Sequence, residues 1–321
     1  MTKDLFPPRI DGRLYLTEGG IETEIMYKDG FELPHFAMFP LLDDPAAVEA
    51  LKGIWRRSLK VAAKTGFSAI MNGLDYRASP DWGALLGYTP EGLATMQHRS
   101  IDFLRDVARE FEGDVENIYI SGTIGPRGDA YSLNRTITEE EAEEYHSVQL
   151  TTLREAGVDM AWAMTFNNIP ESVGLTRAAR GVGLPLAMGL TLDSTCRLKS
   201  GPTLGEAIAK IDAQTDHGPD FYACNCSHPL EFEPALVGGA WLERLRCIRP
   251  NASAMEKIAL CKLGHLEDGD PVELGQQMAD VARRLPHMDI FGGCCGTDER
   301  HLHEIAIQVR RLGEGAQMEP A

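Results

Sequence analysis

The stretch Phe291-Gly292-Gly293-Cys294-Cys295-Gly296-Thr297 joins a short apolar run to Asp298 and a helical pattern. It reads as the end of a strand, a glycine-rich turn carrying two adjacent thiols, and the start of a helix. Neighbouring side chains in a regular strand point to opposite faces. Two adjacent thiols therefore face one centre only where the backbone leaves strand geometry. Gly292, Gly293 and Gly296 permit that departure, because glycine tolerates positive φ and close backbone approach. The pair has three readings: buried cysteine, a vicinal disulfide, or two thiolate ligands for a soft metal. Taken alone it favours buried cysteine, among the most buried residue types. A metal site needs a third ligand elsewhere, and Asn225-Cys226 is the candidate.

Working outward, the same strand-then-helix junction recurs along the chain. Apolar runs at Leu14 to Leu16, Phe67 to Met71, Ile118 to Ile120, Val158 to Met164, Leu186 to Leu192, Phe221 to Cys226, Leu242 to Ile248 and Asp289 to Phe291 predict strands. Of these, the run from Leu242 is the least regular. Between them lie helical patterns with start and stop signals. One opens at Asp43-Asp44-Pro45 and stops at Gly66; another runs from about Thr89 to Phe111. Thr138 to Glu141 has capping-box spacing, with a helix continuing to Ala156. Further helices are predicted from Pro170 to Gly181, Thr203 to Ala213, Asp270-Pro271 to Leu285, and Asp298 to about Leu312.

Eight such units imply parallel strands with crossover helices, and in roughly 300 residues they fit a closed (β/α)8 TIM barrel of the α/β class. An open doubly wound sheet is the alternative, but no G-x-G-x-x-G follows the first strand. No linker or composition shift divides the chain. A single barrel domain over 1–321 is expected, with 1–13 and 313–321 as loose ends.

The 321 residues carry 31 basic and 48 acidic side chains, a formal charge of −17. That balance argues against nucleic acid or an anionic membrane as the main partner. No apolar run approaches membrane-spanning length. The first 13 residues are polar and contain prolines, unlike a secretory signal. Seven cysteines, an odd number without scaffold-like spacing, favour a reducing, cytoplasmic setting. A homodimer is a common arrangement for enzymes of this size.

In a barrel of this kind the functional residues sit at the C-terminal strand ends. Cys226 falls at the sixth, Cys294 and Cys295 at the eighth, and Glu18, Asn72, Thr165, Asp193 and Asn251 at others; Tyr76 follows the second. This convergence raises the metal reading above ordinary burial. Three thiolates without a fourth suit Zn²⁺ with one open position. So ligated, the ion is a poor activator of water but a good holder of a substrate thiol, which loses its proton near neutral pH. Such a thiolate attacks an electrophilic methyl group. Cys224 shares the strand face of Cys226 and reads as core filler. Cys196, Cys247 and Cys261 have no partner pattern. His146, His265 and the Glu139 to Glu144 run read as structural or solvated.

These residues resemble the homocysteine S-methyltransferase family over about Leu14 to Ile307. The resemblance rests on Gly292-Gly293-Cys294-Cys295-Gly296-Thr297, Asn225-Cys226, Gly125-Pro126 with Gly128, and Tyr145-His146 through Asp159. It implies zinc on Cys226, Cys294 and Cys295, and methyl transfer to a small-molecule thiol. Homocysteine is then the expected acceptor, and S-methylmethionine, S-adenosylmethionine or betaine the donor. The expected substrate contacts are Glu18, Asn72, Tyr76, Thr165 and Asn251. Three positions depart from the family, one being Arg127 after Gly125-Pro126, where aromatic residues are common. Glu18 stands where it usually has aspartate, and Met164 where it usually has the glutamate that contacts the acceptor's amino group. Losing that carboxylate removes a charge-assisted hydrogen bond, often worth about 1.5–3 kcal/mol. A different thiol acceptor is therefore the first alternative. A non-catalytic binding protein with a structural zinc, saturated by protein ligands, is the second.

Overall fold

The computed structural model describes residues 5–133, 137–255, 257–260 and 262–316. Eight parallel strands close into a barrel in sequence order. They are β1 (Tyr15–Leu16), β2 (Ser68–Asn72), β3 (Ile118–Ile124), β4 (Met160–Phe166), β5 (Leu186–Leu190), β6 (Phe221–Ser227), β7 (Leu245–Pro250) and β8 (Ile290–Phe291). Closure is made by β1 against β8, with Tyr15 opposite Ile290 and Leu16 opposite Phe291. The connections carry α1 (Ile21–Tyr27), α2 (Pro45–Thr65), α3 (Pro80–Leu85), α4 (Pro90–Arg109), α5 (Glu139–Glu155), α6 (Ile169–Val182), α7 (Leu204–Thr215), α8 (Pro229–Phe232), α9 (Lys257–Leu260), α10 (Pro271–Arg284) and α11 (Glu299–Ala316). The barrel expected from eight repeated units is thus the observed fold.

Local chemistry explains the long helices. Asp44 caps α2 ahead of Pro45, and Gly66, left-handed at φ 69°, ends it by donating to the Ala62 carbonyl. Thr138 and Glu141 form the reciprocal capping box of α5. Asp270 accepts from the backbones of Val272 and Glu273 to start α10. The long helices lay an apolar stripe on the strands; in α2 this is Leu51, Ile54, Trp55, Leu59 and Ala62.

The two faces of the sheet bury different sets. Tyr15, Ile70, Met160, Trp162, Phe221, Cys247 and Ile290 fill the barrel interior. Leu16, Met71, Ala161, Cys224, Ile248 and Phe291 lie in the layer beneath the helices. That alternation of period two keeps both faces apolar, as a sheet covered by helices requires.

Several boundaries differ from expectation. The seventh strand begins at Leu245, because Ala240–Arg244 forms a 3-10 turn that absorbs Trp241 and Leu242. It ends in Pro250, whose carbonyl accepts from the Cys294 amide at 2.8 Å and whose missing N–H is not needed there. The fourth strand runs to Phe166, so Thr165 lies within it. The short α1, α3, α8 and α9 were not legible.

Of the first 13 residues, expected to be loose, Phe6, Pro7 and Pro8 are anchored to the barrel. The Phe6 ring packs edge-on against Tyr119, 4.9 Å between centroids, and Arg246 donates to the Pro7 carbonyl. Tyr15 donates its hydroxyl to the Pro8 carbonyl. These residues close the end of the barrel opposite the strand C-termini. The last helix passes Leu312 and reaches Ala316; 317–321 lie outside the described residues.

Candidate active site and metal centre

The C-terminal strand ends surround a cavity of about 370 Å³. Glu18, Asn72, Tyr76, Thr165, Cys226, Asn251, Cys294 and Cys295 all line it. Asp193 does not; it turns back to accept from the Thr195 amide. His265 reaches the rim, largely exposed and hydrogen-bonded to Glu267.

Strand alternation would send Cys226 the way of Cys224, toward the helices. The backbone prevents this. Cys226 adopts φ 54°, and the register against β7 shifts between Asn225 and Ser227. The thiol therefore faces the cavity while Cys224 stays in the outer layer, so the two do not share a face. Thr165 has the same left-handed conformation, φ 62°, beside a shift in the β4–β5 register. Asn225 braces both, accepting from the Thr165 amide at 3.1 Å and approaching Cys226 Sγ at 3.5 Å. Positive φ in non-glycine residues is costly and survives where surroundings over-determine it.

Of the glycines in the cysteine turn, Gly296 has positive φ, 83°. Gly292 and Gly293 serve close approach instead: a Cβ on either would meet the Thr17 or Thr297 hydroxyl at 1.9–2.0 Å. Gly20 packs on the Cys294 carbonyl, where a Cβ would come to 2.5 Å. Just beyond the turn, Asp298 joins Lys28, Arg300 and His301. Against the opposing effect of burial, those partners hold its carboxyl well below the usual carboxylate range. The pairing with Lys28 ties the turn to the end of α1.

The Sγ atoms of Cys226, Cys294 and Cys295 lie within 4.8 Å of one another. Among the described residues no further His, Cys, Asp or Glu donor joins the group. Cys226 and Cys294 are joined as a disulfide. Disulfide formation and metal ligation compete for the same two sulfurs, so a metal requires the reduced pair. Three soft sulfurs, once reduced, fit Zn²⁺ by donor type and count.

Burial pushes the Cys247 thiol up strongly, which leaves it inert inside the barrel. Cys196 sits in the loop after β5, away from the cavity, and Cys261 lies outside the described residues.

Glu18 is more constrained than its sequence position indicated. Its Oε1 accepts from Arg249 Nη2 at 2.6 Å and from Asn72 Nδ2 at 2.8 Å; its Oε2 accepts from the Asn72 amide at 3.2 Å. Arg249 also donates through Nε to the Gly293 carbonyl at 2.9 Å. The side chains of the ion pair are 3% and 4% exposed, so the charges compensate each other out of water. Its Nη1 lies 3.8 Å from Met164 Sδ. Arg249, in β7, is a site residue that the sequence reading did not single out. A charged residue two places from Cys247, on the inward parity of β7, was the available signal.

Tyr76 and Thr165 share a hydroxyl–hydroxyl hydrogen bond, and burial pushes the Tyr76 phenol up. Asn251 donates to the Cys226 carbonyl at 3.2 Å, fixing the backbone there. Behind this wall Asp75 is fully buried, with neither carboxyl oxygen closely hydrogen-bonded. Burial pushes it up to about 8, with Ser100 and the Thr123 backbone offsetting only part. Glu22, in the first turn of α1, also lines the cavity, and sequence reasoning missed it.

Comparison with known proteins agrees with this architecture. The homocysteine S-methyltransferase family profile matches residues 15–309. The chain belongs to that family. It is 25% identical over 234 residues to a methionine synthase of Mycobacterium leprae, covering 68% of this chain and 18% of that protein. A methionine synthase of Mycobacterium tuberculosis is 24% identical over 217 residues, covering 65% and 17%. The chain thus spans less than a fifth of the length of these relatives. The homocysteine methyltransferase MmuM of Escherichia coli, in its metallated form, superposes with a TM-score of 0.70 at 17% identity, covering 93% of this chain and 97% of that one. Its oxidized form gives 0.69, also at 17% identity, covering 92% and 96%. At that identity the likeness supports the barrel alone.

Proposed function

We propose that this protein moves a methyl group from an onium-type donor to the thiol of homocysteine, giving methionine, with zinc on Cys226, Cys294 and Cys295. The donor is S-methylmethionine, S-adenosylmethionine or a betaine. The observation that carries the reading is the convergence of three cysteine sulfurs on one cavity, with no further donor among the described residues. Finding no fourth donor among the described residues weighs against a saturated structural zinc.

When bound, zinc would hold the acceptor's sulfur in its nucleophilic, deprotonated form. The chain's own residues orient and enclose it. Arg249 and Asn72 fix Glu18 at the cavity wall, and Arg249 fixes the carbonyl next to Cys294. Tyr76, Thr165 and Met164 form a wall of low polarity beside the sulfurs. A cationic leaving group departs neutral, so the donor needs no general acid.

The test is turnover by reduced, zinc-loaded protein with homocysteine and each donor in parallel. Methionine is expected from one donor and is lost in Cys294→Ala. Absence of methionine with all three donors, while zinc remains bound, overturns the proposal.

A further inference from the structure

The carboxylates lining the cavity differ in what neutralises them. Glu18 is held by Arg249 and Asn72. Asp129 accepts from the Tyr131 amide at 2.8 Å and lies 3.9 Å from Arg77. Glu267 pairs with His265 at 3.1 Å. Glu22 has no hydrogen bond or ion pair to another residue among the described residues; its carboxyl meets only its own backbone N–H. The cavity's two arginines are committed elsewhere. Arg249 serves Glu18 and Gly293, while Arg77 donates to the Gly128 carbonyl at 3.0 Å and stacks over Trp82 at 4.2 Å.

Glu22 is partly exposed, and what it lines is the cavity. Desolvation by burial pushes its carboxyl up, with Arg249 and Arg77 opposing only as more distant charges. Met26, Tyr27, Phe36, Met38 and Tyr76 line the same cavity. An uncompensated carboxylate in apolar and aromatic surroundings costs stability. It gains strongly from a cation that arrives with the substrate, and aromatic faces favour alkylated cations as well.

We propose that Glu22 is the carboxylate with which this cavity recognises an organic cation of its substrates, either the acceptor's ammonium or the donor's onium centre. The inference rests on the methyl-transfer reading for its choice of ligands. It assigns to α1 the charge that β4, ending in Met164-Thr165-Phe166, does not supply. It also makes Glu18 a positioning residue, since its oxygens are already engaged by Arg249 and Asn72.

The experiment is equilibrium binding by calorimetry to reduced, zinc-loaded protein, comparing wild type with Glu22→Gln and Glu22→Ala. Two ligand pairs separate the sources. Homocysteine and 4-mercaptobutanoate differ in the ammonium; S-methylmethionine and methionine differ in the onium. The expected result is that both variants weaken the charged member of one pair by about tenfold or more and leave its partner within about twofold. Loss confined to homocysteine assigns Glu22 to the acceptor; loss confined to S-methylmethionine assigns it to the donor. Equal effects within both pairs, or a wild-type protein that binds neither cation, overturn the proposal. Glu22-dependent binding without turnover for any donor sinks the methyl-transfer reading and leaves this inference standing.

Discussion

Arg249→Met isolates what the buried ion pair does. The substitution removes the Arg249 bonds to Glu18 Oε1 at 2.6 Å and to the Gly293 carbonyl at 2.9 Å, and leaves Glu18 charged at 4% exposure. Breaking a buried pair from one side costs about 3–5 kcal/mol, most of it the uncompensated charge left behind. Asn72 still donates twice to Glu18, which places the loss toward the lower part of that range. At roughly 2 °C per kcal/mol for a large domain, the melting point falls by about 6–8 °C. Glu18→Gln strands the guanidinium in the same way. The double variant then loses clearly less than the sum of the two, because neither charge remains. The assay is thermal and urea unfolding of reduced, chelator-treated protein, so that zinc binding adds nothing. A fall below about 2 °C for Arg249→Met, or additive losses in the double variant, would refute the reasoning.

Two other consequences are open to measurement. Protein carrying the Cys226–Cys294 disulfide should take up no zinc, and thiol reduction should restore a single equivalent, followed by competition with a chromophoric chelator; stoichiometric uptake by the oxidised protein would contradict the shared-sulfur site. Asp75, raised from 3.8 to about 8, keeps in the folded state a proton that the unfolded chain releases near 4. Stability should therefore fall as pH rises between those values, by up to about 1.4 kcal/mol per pH unit, and level off above 8. Asp75→Asn should flatten that slope and gain on wild type toward pH 8.5 in urea titrations; parallel pH dependence of the two proteins would refute the assignment.

What could be read from the chain alone was whatever short-range chemistry dictates. The Thr138–Glu141 box, Asp44-Pro45 and Asp270-Pro271 announce helices through the hydrogen bonds they offer to their own first turns. Repeated apolar runs ending in glycine or polar residues announce strands, and eight such units leave a barrel as the economical closure. Gly292-Gly293-Cys294-Cys295 alone reads as buried cysteine, and its metal reading came from sharing the strand-end face with Cys226. The start of the seventh strand was not legible, since the apolar residues of a 3-10 turn look like those of a strand end. Tertiary structure decided the rest, because it depends on partners far away in sequence. Cys226 faces the cavity, and Cys224 the helices, through a register shift against β7 and a left-handed residue braced by Asn225. Glu18 is engaged by an arginine 231 residues away, and Glu22, on the same cavity, has no such partner among the described residues. Propensity and spacing reach a turn or two along the chain. Which buried charge compensates which is settled only when distant strand ends share one cavity and desolvation makes each unpaired charge costly.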